Sequence, residues 1–329
     1  MAEALLRVDK LSCGFHTEEG YIRVVDSISF DVERGTTLGI VGESGCGKTV
    51  SALAVMGLLP RPAGVVEAGT MTFKGQNLSA TDATQPIRQM RGRHIGMIFQ
   101  EPMTALNPVH RVGRQLVETL ELHEPNLDKG TLRKRAKDLL EQVGIPAAER
   151  RLDEYPHQLS GGMRQRVMIA IALAGQPEVL IADEPTTALD VTIQAQILEL
   201  LRSLLQSRGM GMIIITHDLG VVAELCDEVL VMYAGRVAER AQVRGLFGTP
   251  RHPYTRGLLQ SIPRVDAPLK SRLLAIEGVV PTPDSMPSGC RFSNRCPYAT
   301  DICSAVAPPL ESCGAKHEVS CHHWRRIPT

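Results

Sequence analysis

The sequence predicts an α/β fold built on a mainly parallel sheet, with a helical insertion and a small loop-rich C-terminal extension. Three observations lead there. Strand-like runs alternate with helix patterns: Leu38–Val41 leads through a glycine-rich turn into Val50–Leu59, and Val179–Ala182 precedes Thr192–Leu205. Such alternation is what crossover helices on a parallel sheet produce. The stretch of about 101–165 shows helical spacing at Leu132, Ala136, Leu139, Leu140 and Val143, with no convincing strand after Ile95–Phe99; it reads as an inserted helical subdomain. Finally, 11 of the 21 prolines fall between Pro250 and Pro328, where periodicity is weak. The expected organisation is a core domain over 1–250, its helical subdomain at about 101–165, and an extension over 251–329 that carries a cysteine cluster.

Composition excludes several classes. The 36 Lys+Arg balance the 36 Asp+Glu, so formal net charge is zero and the electrostatic footprint of a nucleic-acid binder is missing. The longest nearly apolar runs, such as Val167–Ala174 and Met210–Ile215, fall far short of the ~18 residues that cross a bilayer. Met1–Lys10 mixes Glu3, Arg7 and Asp9 among apolar residues and lacks the basic and apolar regions of a signal peptide, so a cytoplasmic location is expected. There, eight cysteines do not read as a disulfide scaffold, because thiols stay reduced.

The core starts at the strand Thr37–Val41, which runs into Gly42-Glu43-Ser44-Gly45-Cys46-Gly47-Lys48-Thr49 and then a helix. This is G-x-x-x-x-G-K-[ST] in the strand–turn–helix context the motif needs. Glycines let backbone N–H groups curl round the α/β-phosphates, and the helix N-terminus adds a positive dipole end. Lys48 would reach the β/γ-phosphates and the Thr49 hydroxyl would ligate Mg²⁺. A dinucleotide fingerprint does not fit, since the glycines run in the wrong order. Alkylation of Cys46, within the loop, is expected to block ATP.

The next strand, Val179-Leu180-Ile181-Ala182, closes on Asp183-Glu184. Asp183 would bind Mg²⁺ directly or through water, and Glu184 could polarise an attacking water as general base. Alone, an Asp-Glu pair after a strand is more often a helix N-terminal cap.

The set of motifs and their order decides. Leu159-Ser160-Gly161-Gly162-Met163-Arg164-Gln165-Arg166 resembles the signature sequence of ATP-binding cassette (ABC) proteins, Gln100 in Ile98-Phe99-Gln100-Glu101-Pro102 resembles their Q-loop, Ala188-Leu189-Asp190 their D-loop, and His217 in Ile215-Thr216-His217-Asp218 their switch histidine. The tail Arg251-His252-Pro253-Tyr254-Thr255 and the cysteines are similar to the C-terminal extension of the ATPase subunits of bacterial dipeptide/oligopeptide importers.

That resemblance implies a P-loop nucleoside triphosphatase of the ABC type, working as a dimer of head-to-tail cassettes. ATP held by residues 42–49 and by Gln100 of one subunit is then capped by Ser160, Gly161 and Gly162 of its partner, with Asp190 also at the nucleotide. Mg²⁺ falls to Thr49, Gln100 and Asp183; catalysis falls to Glu184, His217 and Gln100, with His217 on the γ-phosphate. Ser160 followed by two glycines at a helix start also supplies a hydroxyl, N–H groups and a dipole end for a phosphate, although a plain N-cap explains the serine. An aromatic ring of the family stacks on adenine, and both Phe15 and Tyr21 are available, with Phe15 preferred of the two; that either ring simply packs a hairpin stays open.

Cys290, Cys296, Cys303 and Cys321 give C-x5-C-x6-C-x17-C, with Cys313 as a fifth thiol. By residues alone, an iron–sulfur cluster, zinc and inert reduced thiols all remain open. The resemblance implies a 4Fe–4S cluster on the four, leaving Cys313 outside. Cys13, Cys46 and Cys226 read as solitary buried thiols.

The expected function is ATP hydrolysis that powers peptide import from the cytoplasmic face of the bacterial inner membrane, as a peripheral subunit. The implied partners are two membrane permease subunits, a second and different ATPase chain, and a periplasmic or extracellular peptide-binding protein, with no nucleic acid. Rival readings are a nickel or haem importer, a soluble ATP-dependent machine acting on nucleic acid or ribosomes, and an iron–sulfur regulator in which ATP is only a ligand.

Overall fold

The computed structural model describes residues 4–78, 84–262, 276–282 and 285–327; the reading at Met1–Glu3 and part of the proline-rich tail lie outside them. The chain forms two compact units. One comprises residues 1–6, 31–36 and 72–215, the other 7–30, 37–71 and 216–329.

The second unit takes most of the N-terminal strands. β1 (Ala4–Thr17) and β2 (Gly20–Glu33) are long strands that alternate buried and exposed residues over much of their length, as half-buried strands do. β3 (Thr37–Val41) is buried at every residue, the continuous apolar character of an interior parallel strand. α1 (Lys48–Val55) follows it, and β4 (Gly64–Phe73) lies beside β1 in the order β2-β1-β4. This separate sheet lies outside the sequence expectation, which names a mainly parallel core.

The first unit holds β5 (Gln76–Asn77), α2 (Thr84–Met90) and β6 (Ile95–Ile98), then four helices without an intervening strand: α3 (Pro102–Ala105), α4 (Val112–His123), α5 (Lys129–Gln142) and α6 (Ala148–Leu152). Among the described residues, no strand stands between β6 and the end of α6. In α5, Asp128 caps the start by accepting from the amides of Gly130 (2.9 Å) and Thr131 (3.1 Å). Leu132, Ala136 and Leu140, spaced at i, i+4 and i+8, are fully buried. α7 (Gly161–Leu173), β7 (Val179–Asp183), α8 (Val191–Arg208) and β8 (Gly211–Thr216) complete the unit. β6, β7 and β8 pair in parallel, with Ile98 opposite Ala182 and Asp183 opposite Ile215.

In the second unit the chain continues through α9 (Leu219–Leu225), β9 (Glu228–Tyr233), β10 (Arg236–Gln242), α10 (Val243–Gly248), α11 (Pro253–Gln260), α12 (Asp301–Ala305), β11 (Glu311–Gly314) and β12 (His317–Val319). β3 pairs in parallel with β9, Val41 opposite Val231. The tail is less loop-like than expected, because β12 adds antiparallel to β10 and carries β11 with it. Strands of three and four residues are too short to leave a periodic signal. Glu239 of β10, fully buried, anchors this junction by accepting from the amides of Arg251 (2.7 Å) and His252 (2.9 Å) and bonding His317 Nε2 (2.7 Å). Among the described residues, no helix is long and apolar enough to cross a membrane.

Candidate functional site

The phosphate loop occupies the turn from β3 into α1. Gly42 has φ +155°, and a Cβ there would stand 2.2 Å from the Met232 carbonyl oxygen; Gly47 caps α1 at φ +98°. Only glycine adopts these positions without strain. Lys48 is buried, its ammonium donating to the carbonyls of Gly42 (2.7 Å) and Glu43 (3.1 Å), so its charge is held inside the loop. Ser44 and Gly45 are exposed at the rim, and Thr49 is half-buried on the first turn of α1. Cys46 is turned inward, 1% exposed, and burial pushes its thiol up. A thiol reagent therefore meets a covered sulfur at Cys46.

Asp183 ends β7, 1% exposed. Glu184 follows in the left-handed region at φ +46°, its N–H donating to the Ile215 carbonyl at 2.8 Å. That turn aims the two carboxylates differently. Glu184 Oε2 accepts from Thr187 Oγ1 (2.8 Å) and from the Gln100 side-chain amide (3.3 Å). The structure thus brings together two residues that lie 84 positions apart in sequence.

Ser160 is the N-cap of α7, its hydroxyl accepting from the Met163 amide at 3.3 Å. The glycines after it differ. A Cβ on Gly162 would stand 2.6 Å from Ile193 Cγ2, so close packing on α8 demands glycine, whereas Gly161 has 3.9 Å to its nearest neighbour. Packing accounts for one glycine and leaves the other without a structural reason. Gln165 of α7 donates to the Pro185 carbonyl at 2.6 Å, tying the helix to the loop after Glu184. Asp190, exposed, caps α8 through the Ile193 amide at 3.0 Å. His217 is exposed on the turn between β8 and α9, where Asp218 caps α9.

Phe15 and Tyr21 sit on opposite arms of the β1–β2 hairpin. Tyr21 packs its ring on His16 at 5.2 Å, and burial followed by its bond to Glu67 raises its hydroxyl to about 12. Phe15 is half-buried.

Cys290, Cys296, Cys303 and Cys321 line one pocket together with His252, Tyr298, His322 and His323. Burial raises the thiols of Cys290, of Cys296 to about 11, and of Cys321 to about 12. Cys313 lies outside the pocket, beside the His317 carbonyl. Among the described residues, no group of three or more His, Cys, Asp or Glu side chains is placed to hold a metal ion. The expected cluster is seen as a convergence of four cysteines on a pocket and no further.

Sequence reasoning missed how much of the C-terminal extension reaches the phosphate loop. Tyr254 is fully buried and its hydroxyl accepts from the Glu43 amide at 2.8 Å. Arg295 pairs with the Glu43 carboxylate at 2.6 Å and 3.0 Å. Tyr254 stood in a quoted motif, but nothing local to Arg295 marks a partner 252 residues away.

Residues 25–187 match the family model described as ABC transporter, and residues 238–303 that described as oligopeptide/dipeptide transporter, C-terminal region. The chain is similar to the dipeptide transport ATP-binding protein DppD of Escherichia coli K12, 52% identical over 320 residues, which is 97% of each chain. It is 50% identical over 319 residues to the protein of the same name from Haemophilus influenzae, covering 97% of this chain and 95% of the relative. Among solved structures it is similar to an ATP-binding cassette seen as a dimer in a post-hydrolysis state with ADP and Pi: TM-score 0.65, 26% identity, 73% of this chain and 99% of that one.

Proposed function

The chain belongs to the ABC transporter family and carries the C-terminal region of its oligopeptide/dipeptide members, and on that premise we propose that it is the ATP-hydrolysing subunit that powers import of dipeptides and oligopeptides. The observation that carries the chemistry is the contact between Gln100 and Glu184. A carboxylate fixed by a hydroxyl and an amide is placed to take a proton from water, while the amide orients that water.

The remaining roles follow the family's pattern. Residues 42–49 hold the phosphates, Lys48 neutralising charge on the β/γ oxygens. Thr49, Gln100 and Asp183 would hold Mg²⁺, for which their oxygen donors are the suitable hard ligands, and which when bound offsets negative charge on the phosphates. His217 holds the γ-phosphate, Phe15 stacks on adenine, and Asp190 also serves at the nucleotide. Ser160, Gly161 and Gly162 cap the nucleotide of a partner cassette, as the spare room at Gly161 allows. The cassette is assigned to 1–250 and the extension to 251–329, the extension being bonded to the phosphate loop through Tyr254 and Arg295. The partner is a second, different ATPase chain; two permease subunits and an extracytoplasmic peptide-binding protein complete the transporter, with this chain peripheral on the cytoplasmic face. Neither a nickel or haem importer nor an ATP-dependent regulator is favoured by the relatives' names, both of which print dipeptide transport.

The cysteine pocket is read as the site of a 4Fe–4S cluster on Cys290, Cys296, Cys303 and Cys321. The donor set fits: a cluster spreads four thiolates around its own bulk, so convergence on a shared pocket matters more than convergence on a point. Anaerobic purification with iron, sulfide and zinc assays should find about four irons, lost in Cys290→Ser; zinc or no metal contradicts the cluster. For the transport reading, ATP hydrolysis and peptide uptake are measured with the permease subunits reconstituted. Lys48→Ala should weaken nucleotide binding and stop uptake; peptide uptake unaffected by that change overturns the reading.

A further inference from the structure

The segment between Cys290 and Cys296 carries two arginines, and both end on the phosphate loop or its immediate support. Arg295 is 4% exposed and uses its whole fork. Nη1 and Nη2 meet the two Glu43 oxygens at 2.6 Å and 3.0 Å, Nη1 also reaches Tyr233 Oη at 3.3 Å, Nη2 the Ile276 carbonyl at 3.2 Å, and Nε the Glu277 carbonyl at 2.9 Å. Its guanidinium lies over the rings of Tyr233 and Phe292, 5.7 Å and 5.9 Å from their centres. Arg291 bonds the Ala234 carbonyl and, at 2.5 Å, Asp26 Oδ2. The next residue, Gly235, donates its N–H to the Cys46 carbonyl at 3.0 Å. Two prongs of one C-terminal segment therefore grip the loop, one at Glu43 and one through the turn that holds Cys46.

The Glu43 carboxylate needs its charge offset in a loop that must receive a polyphosphate, because a bare carboxylate beside phosphate oxygens repels them. A bidentate guanidinium cancels that charge and fixes the side chain in a single geometry. The Tyr254 hydroxyl meanwhile accepts the Glu43 backbone N–H. Charge and backbone of the second loop residue are both set from the extension.

We propose that Arg295 is a positioning residue for the phosphate loop: by pairing with Glu43 it makes the loop fit to bind ATP, so that nucleotide affinity depends on how the 290–296 segment is seated. This rests on nucleotide binding at residues 42–49. A segment that anchors the extension and also neutralises the loop couples the two, and such coupling is reciprocal. The extension becomes part of the ATP site through Glu43 and the turn at Gly235.

The test measures Mg-ATP affinity, steady-state KM and kcat, and thermal unfolding on the full chain purified anaerobically. Arg295→Met should weaken ATP binding and raise KM about tenfold, within the usual range of site-to-site couplings, while kcat at saturating ATP stays within about threefold of the parent. Adding Glu43→Gln to that variant removes the exposed carboxylate and should recover affinity by about threefold or more relative to the single variant. Arg295→Lys, which keeps charge but loses the fork, should weaken binding by about threefold and decides the matter if the Met variant does not fold. A folded Arg295→Met chain with the parent's affinity, a double variant as weak as the single, or an unaffected Lys variant overturns the proposal. Lys48→Ala separates the two levels: if it binds ATP as the parent does, the nucleotide site itself is misassigned.

Discussion

The side-chain amide of Gln100 lies 3.3 Å from Glu184 Oε2, on which Thr187 Oγ1 also donates from 2.8 Å. Strand register explains the meeting. Ile98 of β6 stands opposite Ala182 of β7, so continuing each strand by two residues brings 100 and 184 to the same sheet edge. The residue proposed as general base and the amide beside it thus come from neighbouring parallel strands, at the carboxyl ends where such sheets bind ligands.

The signature glycines should separate by stability. Gly162→Ala places a methyl against Ile193 and is expected to cost about 1–3 kcal/mol, as overpacking does; Gly161→Ala, with room around it, should leave the unfolding midpoint unchanged while lowering ATPase activity of the assembled transporter. Urea unfolding of both variants checks this, and equal destabilisation would contradict the assignment.

Burial drives the His252 ring down to about 4 from the usual 6.5, against the raising pull of Glu239 and of the Ser320 backbone. Between those values the unfolded chain binds a proton that the folded chain refuses. Stability from this group is therefore complete above about pH 6.5 and falls as pH drops toward 4, by up to about 1.4 kcal/mol per unit. His252→Asn keeps an acceptor for the Tyr254 amide, which His252 Nδ1 now caps at 3.0 Å, and should flatten this part of the stability curve. An unchanged slope would mean the ring does not titrate there.

Asp26, 8% exposed, joins Arg236 (2.8 Å), Arg291 (2.5 Å) and Arg23 (3.5 Å). Burial alone would raise its carboxyl, but the Arg236 bond and the charges of Arg236, Arg291 and Arg23 outweigh it and hold it low. Asp26→Asn leaves Arg291, itself 13% exposed, facing no carboxylate. The expected loss is about 2–4 kcal/mol, somewhat under that of a fully buried broken pair, read by urea unfolding at neutral pH. A loss below about 1 kcal/mol would place the pair among ordinary surface bridges.

Much of the site was legible because its chemistry is local. The phosphate loop needs glycine at Gly42 and Gly47 for backbone reasons, and those reasons leave a pattern. β3, β7 and the helices after 101 announced themselves by apolar runs or 3.6-residue spacing. What sequence did not carry was long-range pairing: the addition of β12 to β10, the anchoring of both by Glu239, and the bond from Arg295 to Glu43 depend on partners with no local signature. The pairing of Gln100 with Glu184 became visible only once strand register was known. The N-cap reading of Ser160 and the phosphate reading are both compatible with its position, since a capping hydroxyl and a phosphate-facing hydroxyl occupy the same helix end.

The most direct test of the account is Glu184→Gln, assayed for phosphate release and, separately, for ATP affinity. Removing a general base should lower turnover by about 10²–10⁴-fold, while ATP affinity stays at or above that of the parent, because the phosphate loop is untouched. Phosphate release at the parent's rate would contradict the assignment of Glu184 as the base and the catalytic reading built on it.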